Sequence, residues 1–378
     1  MKLVLVVGSF PKMPCGVGDY TAKLAQALLE IDHGIQIDIV TSEDSRVAVP
    51  NHPRLAVQQV HGWGTKDIPE LLRLIENWRP DVVHVQYPSK GYGMGLAPNL
   101  IPLLLRFSRL RIPVMVTLHE FSIAHPLRRL STIFMLCCSN RIIVCDGREQ
   151  VAVKRLFFFT GGKTMLFPLA PNIPVIKLHR PRLGQDSGWT LSYFGFVDKS
   201  KDFQVLVETL SALRTEGFPI RLLFIGGVST ENQERLYGIA SAKGVTQGIS
   251  FTGFCSPEAV SRYLAETDIA LFPFRDGVSL RRASFIAAMQ HGLPVVTTRA
   301  KGYLPAGLKD GENVLLVDPS DGPGFVVAVR RLLLDAHLRE KLSRGALSWA
   351  APFTWDRLAA QHQEIYREVL SEKRQVVK

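Results

Sequence analysis

Apolar residues arrive in short runs that alternate with longer stretches of helical spacing, the pattern of parallel βαβ units. In the first half, residues 3–7, 35–40, 82–85, 114–117 and 142–144 read as buried strands, and residues 19–29 as a helix. Pro80-Asp81 and Ile112-Pro113 punctuate two of the strand starts. Residues 177–188 interrupt the pattern with turn formers and charge, and read as an interdomain linker. The alternation then restarts, with strands at 190–194, 221–225, 250–252, 269–272 and 294–297 and helices at 203–213 and 283–290. Two successive doubly wound α/β sheets are the simplest architecture. The polar residues 371–378 read as a frayed tail.

Composition narrows this picture. A chain of 378 residues exceeds one ordinary core and suggests two domains. No apolar run reaches the roughly 18–20 residues that cross a bilayer, and the run after Lys2 ends at Gly8, as a strand does and a signal peptide does not. Cys15, Cys137, Cys138, Cys145 and Cys255 are odd in number and lack metal-ligand spacing. They read as reduced thiols of a cytoplasmic protein, with Cys137-Cys138 as two small buried apolar residues. The net charge of +11 is uneven: residues 1–182 hold 22 Lys/Arg against 13 Asp/Glu, and residues 183–378 hold 23 against 21. Such a basic half either attracts polyanions or is a solvated surface. It carries no nucleic-acid reading motif, so nucleic acid is not an expected partner.

Three segments carry candidate chemistry. The turn after the first strand, Pro14-Cys15-Gly16-Val17-Gly18-Asp19-Tyr20, lets backbone approach a ligand at a helix N-terminus, or is a plain βα turn. His119 stands at the carboxyl end of a strand, where open α/β sheets gather ligands; it can donate to a substrate hydroxyl or phosphate, or be satisfied locally. His84, within a strand, is the weaker candidate because it can face the core. Residues 272–296 run from a strand through Arg275-Asp276-Gly277-Val278-Ser279-Leu280-Arg281-Arg282 into a helix, and Gly292-Leu293-Pro294 leads to the next strand. Helix-start amides with Arg281 and Arg282 form a phosphate site, or else a basic surface turn.

These segments resemble the retaining GT-B glycosyltransferases of the family 4 type, over nearly the whole chain and most strongly after residue 190. The matching motifs are the Gly-Lys loop, residues 195–202 from Gly195 to Asp202 through Lys201; the segment Asp310-Gly311-Glu312-Asn313-Val314-Leu315-Leu316-Val317; and Phe353-Thr354-Trp355 before a helix at 356–370. The resemblance implies two Rossmann-like domains facing across a cleft: an acceptor-side domain over 1–180, a nucleotide-sugar domain over 181–352, and a helix over 353–378 returning to the first. It also implies that Gly16, with Gly18, lies in the loop nearest the donor phosphates, that His119 contacts the transferred sugar or its phosphate, and that Lys201 contacts the diphosphate. Gly195, Asp276, Gly277, Val278, Leu280, Arg281 and Arg282 complete the donor side, and Asp19 and Tyr20 lie toward the acceptor. The chain departs from the family at three positions. Phe196 replaces an arginine, and Ser279 and Ala287 replace the two glutamates eight positions apart. Ser279 keeps a hydroxyl for the sugar, Ala287 offers the ribose nothing, and Arg281 or Arg282 can stand in for the lost cation.

The expected reaction is retaining transfer from a nucleotide-diphosphate sugar, with His119, Lys201 and Ser279 at the reacting centre. No metal is expected, since no Asp-x-Asp dyad is present and cations with helix-end amides suit the leaving diphosphate. The acceptor is expected to be a glycan or lipid-linked sugar of surface polysaccharide or glycolipid synthesis. Residues 100–111 and 154–159, apolar and basic, read either as segments that rest on an anionic membrane or as core-facing helices with charged flanks. The rivals are a catalytically weak GT-B module that binds a nucleotide or glycan, and an epimerase on the same fold.

Overall fold

The computed structural model describes every residue except Lys12, Pro14, residues 44–51, Ile123, residues 177–187, Lys199, Val377 and Lys378. The expected linker therefore lies, but for Gly188, outside the described residues. The chain divides into two compact units, residues 1–169 with 354–378, and residues 170–353.

In the first unit the strands are β1 (Lys2–Val6), β2 (Gln36–Ser42), β3 (Leu55–Val60), β4 (Val82–Tyr87), β5 (Val114–Leu118), β6 (Arg141–Val144) and β7 (Thr164–Leu166). They pair in parallel in the order β3-β2-β1-β4-β5-β6-β7. The helices are α1 (Gly16–Ile31), α2 (Ile68–Trp78), α3 (Ala97–Phe107), α4 (Pro126–Ser131), α5 (Ile133–Cys138) and α6 (Gly147–Leu156). Val4, Val6, Val83, Val85, Val116 and Ile142 fill the core as a parallel sheet covered on both faces requires.

The second unit repeats the plan with β8 (Trp189–Phe194), β9 (Ile220–Ile225), β10 (Ile249–Phe251), β11 (Ile269–Phe272), β12 (Val295–Thr298) and β13 (Leu315–Val317). Their order is β10-β9-β8-β11-β12-β13, again parallel. Its helices are α7 (Phe203–Thr215), α8 (Thr230–Ala242), α9 (Pro257–Ala265), α10 (Ala283–Gln290), α11 (Gly322–Leu334) and α12 (Ala336–Ala350). Tyr193, Phe203, Phe224, Phe272 and Phe285 anchor its core through edge-on ring contacts.

The last helix, α13 (Trp355–Val376), belongs to the first unit and packs along α1. It corrects the frayed-tail expectation, because residues 371–376 continue the helix; Glu372, with Glu368, holds Arg141. Each sheet reverses strand order once, between β1 and β4 and between β8 and β11. The carboxyl ends of those four strands are where a doubly wound sheet opens for a ligand.

Candidate functional site

In the second unit, the loops leaving β8 and β11 are stitched together. Lys201 bridges Phe274, the Asp202 amide donates to the Pro273 carbonyl at 2.8 Å, and Arg275 meets Asp202 at 3.5 Å. Gly195 turns at φ +135°, beside the Tyr193 hydroxyl and Ser284. Gly277 sits at φ +80°, where a Cβ would lie 2.3 Å from the Ala300 backbone, so only glycine fits. Its neighbour Val278 donates to the Thr298 carbonyl at 2.9 Å and fixes the turn before Ser279.

The charges then fall into a pair and a triad. Lys201, largely buried, binds Asp198 directly. Burial and the nearby Arg282 draw the Lys201 ammonium below its usual pKa, against the pull of Asp198 and Asp276. Asp276 receives Arg282 at 2.7 Å and Arg281 at 3.3 Å. The Arg282 guanidinium lies 4.6 Å from the centre of the Phe274 ring, and its Nε is buried. Ser279 is fully buried, and among the described residues neither its hydroxyl nor Arg282 Nε has a hydrogen-bond partner. Both stand immediately before α10, whose first turn no side chain caps. Unmatched buried donors beside an uncapped helix start are what an anionic ligand satisfies.

Of the positions that the resemblance marks as departures, Phe196 and Ala287 lie in unlike surroundings. Phe196 is exposed and packs edge-on to the exposed Phe254, with ring centres 5.5 Å apart. Ala287 is fully buried in the core, and its carbonyl accepts from His291 at 2.8 Å. Leu280 is buried as well. The segment from Asp310 is a turn: Gly311 adopts φ +70°, and Asp310 accepts from the Leu316 amide at 2.9 Å.

In the first unit, Gly16 and Gly18 differ. A Cβ on Gly16 would meet nothing within 4 Å among the described residues, whereas one on Gly18 would lie 2.6 Å from the Ser9 carbonyl. Burial would raise the Cys15 thiol, yet amides of Lys90, Gly18 and Val17 and the Ser9 hydroxyl bring it below its ordinary pKa. Donors at the start of α1 thus favour negative charge. Asp19 is exposed there, while Tyr20 is buried with its hydroxyl 3.4 Å from His362 and its ring edge-on to His119. Tyr20 is accordingly part of the core.

His119 is tied into that core. Its Nε2 lies 2.9 Å from Gln86 Oε1, and the Cys145 sulfur is 3.8 Å from its Nδ1. His84 faces the core, with Tyr366 and Thr117 each at 2.7 Å. Desolvation, helped by His362, pushes the His119 pKa down to about 3. Sequence reasoning missed Gln86, although Gln86 and His84 alternate on an otherwise apolar strand and must share a face. It also misjudged the adjacent cysteines, since Cys137 is exposed and Cys138 half-buried. Among the described residues, no group of three His, Cys, Asp or Glu side chains is placed to hold a metal, and no helix is long and apolar enough to cross a membrane.

Two family models match the chain: residues 14–169 match Glycosyltransferase Family 4, and residues 189–335 match Glycosyl transferases group 1. A D-inositol 3-phosphate glycosyltransferase of Acidothermus cellulolyticus is 25% identical, over 95% of this chain and 87% of its own. Among solved structures, the sucrose-phosphate synthase of Thermosynechococcus elongatus superposes with a TM-score of 0.72 at 18% identity, covering 98% of this chain and all of that one. Anabaena HepE in complex with UDP-glucose gives 0.69 at 14%, with 98% of this chain and 100% of its own covered.

Proposed function

We propose that this chain, a glycosyltransferase of the GT-B fold, moves a sugar with retention from a nucleoside-diphosphate donor to a glycan or lipid-linked hydroxyl, without a metal ion. One observation carries the donor side: the Ser279 hydroxyl and Arg282 Nε are buried and unmatched at the uncapped start of α10. Lys201, through its electrostatic coupling to Arg282 and Asp276, belongs to the same cationic group. These donors neutralise a leaving diphosphate as a metal otherwise does. The acceptor oxygen bonds to the anomeric carbon, the bond from that carbon to the diphosphate oxygen breaks on the same face, and the acceptor proton passes to the leaving oxygen. No side-chain nucleophile is needed.

The first unit supports an acceptor at an anionic membrane. Between residues 89 and 163 the sequence has eleven Lys/Arg and three Asp/Glu, and two of those acids, Asp146 and Glu149, are buried. Phe107, Leu127, Phe134 and Phe158 are exposed in this stretch. Lys163 ties the segment after α6 to α5 through the carbonyls of Cys137 and Ser139, at 3.0 and 2.9 Å. A basic surface with exposed aromatic rings suits the headgroup layer and a role in surface polysaccharide or glycolipid synthesis.

A thermal-shift panel of UDP, GDP and ADP with their sugars, repeated in EDTA, tests the donor reading. Stabilisation by one nucleotide that persists in EDTA, with an α-linked product from an α-linked donor, is the expected result. An inverted product or a strict metal requirement overturns the mechanism.

A further inference from the structure

We propose that Gln86 is a positioning residue: through the chain Tyr366–His84–Gln86–His119 it fixes His119 as the Nε2–H tautomer, so that His119 accepts a hydrogen bond from a sugar hydroxyl through Nδ1 and does not hold the diphosphate. The part concerning sugar rests on the reading of His119 given above. The part concerning the tautomer rests on the orientation of the Gln86 amide, oxygen to His119 and nitrogen to His84.

Gln86 turns its amide oxygen to His119 Nε2, at 2.9 Å. An amide oxygen can only accept, so Nε2 carries the proton. The amide nitrogen faces the other way and donates to His84 Nε2 at 3.3 Å. With that nitrogen accepting, His84 donates from Nδ1 to the Tyr366 hydroxyl of α13, at 2.7 Å. The Thr117 hydroxyl, 2.7 Å from the same His84 Nε2, donates to that nitrogen as well, so it and the Gln86 amide share one lone pair. The middle of α13 and the β4 strand therefore set the orientation of one imidazole through a single directional chain.

A neutral imidazole with Nε2 protonated has a lone pair on Nδ1. Among the described residues, the hydrogen-bond partner of that nitrogen is the Cys145 thiol at 3.8 Å, a weak donor. A sugar hydroxyl competes with a thiol at such a site, whereas a phosphate oxygen, itself only an acceptor, is repelled. Charging the ring instead would require a counter-ion, and among the described residues no carboxylate hydrogen-bonds to it. The groups around it are Tyr20 from α1, His84 and Gln86 from β4, Cys145 after β6, and His362 and Tyr366 from α13. Asp146 and Glu149 act on Cys145, whose thiol pKa is pushed up to about 12 by burial and by these two carboxylates.

The test is imidazole NMR on the full chain labelled with 15N-histidine, with the His119 signal identified by its loss in His119→Gln. The expected result is a neutral Nε2–H imidazole between pH 5.5 and 8. Gln86→Glu, which keeps the acceptor but adds charge, should turn His119 into a histidinium within that range and add a titrating limb to the pH profile of UDP-glucose cleavage. Gln86→Met should release the tautomer, and should add no further loss of cleavage to His119→Ala. A His119 that titrates near pH 6.5, or carries its proton on Nδ1, overturns the proposal, as do additive losses in the double variant. If the tautomer is as expected but His119→Ala cleaves UDP-glucose normally, the sugar contact falls while the positioning by Gln86 stands.

Discussion

Asp276 Oδ1 lies 2.7 Å from Arg282 Nη2, while Nε of the same guanidinium is buried and meets no acceptor. One carboxylate thus serves two arginines, since Arg281 reaches its other oxygen at 3.3 Å. The pair is held half-satisfied, and stacking on Phe274 limits its freedom to turn away. Fixing a donor in place before the ligand arrives is what lets it stabilise charge that develops later.

Arg282→Ala should weaken UDP binding by about 10- to 100-fold, the value of a charge-assisted hydrogen bond of roughly 1.5–3 kcal/mol. Arg282→Lys should recover little, because an ammonium has no Nε to fill the buried position. Calorimetric titration measures both. Undiminished affinity in Arg282→Ala would remove this residue from the donor site.

The two glycines at the start of α1 should respond in opposite ways. Gly18→Ala drives a methyl to 2.6 Å from the Ser9 carbonyl, so it should lower Tm and solubility. Gly16→Ala meets open space and should leave Tm unchanged or raised, since alanine favours a helix by up to about 1 kcal/mol. If the space beside Gly16 admits donor phosphates, turnover should still fall in Gly16→Ala. Equal melting temperatures for the two variants would show that the close approach at Gly18 is not structural.

Alternation of short apolar runs revealed the strands that lie inside each sheet, because strands such as β4 and β11 are buried on both faces. It missed β3, whose mixed exposure blurs the pattern, and β7 and β13, each three residues long. The cationic loops were legible because Lys201, Arg281 and Arg282 follow strand ends at short range. The environment of His119 was not. It depends on Gln86, 33 positions away, and on His362 and Tyr366 at the far end of the chain, and no local spacing encodes such meetings. Cys137 was misread for a related reason: six-residue α5 is too short for its spacing to show which side faces solvent.

Membrane binding should track the exposed rings and cations of the first unit. Phe107→Ser with Phe158→Ser removes two exposed rings, and Lys154→Glu with Arg155→Glu reverses four units of charge. Each pair should reduce sedimentation with phosphatidylglycerol vesicles several-fold and leave Tm nearly unchanged, because the altered side chains are not core. Each basic residue near such a surface contributes about 1 kcal/mol. Equal sedimentation with neutral and anionic vesicles, or none with either, would end the membrane reading.

Stability should fall on acidification through the range where free histidine titrates. Desolvation lowers the His362 pKa to about 4, and desolvation with His362 lowers that of His119 to about 3. Above pH 6.5 both residues are neutral whether the chain is folded or not, and the favourable native packing is fully present. Below it the unfolded chain takes up protons that the folded chain refuses, so stability declines down to the folded values. The slope is at most about 1.4 kcal/mol per pH unit for each imidazole. Asp38 works against this. Desolvation raises its carboxyl to about 6, so the folded state binds that proton first and gains between about pH 6 and 4. Asp19, raised by desolvation, and His61, raised by Glu70 and Glu43, act in the same sense as Asp38. His84 and His291, lowered by desolvation, act with His119 and His362, and the net trend remains loss. Melting curves from pH 8 to 5 should therefore show Tm falling, and His362→Gln should fall less steeply than the unaltered chain even if its Tm at pH 8 is lower. Parallel curves would mean that His362 takes up its proton in the folded state, and that the core around Tyr20 and His119 admits water.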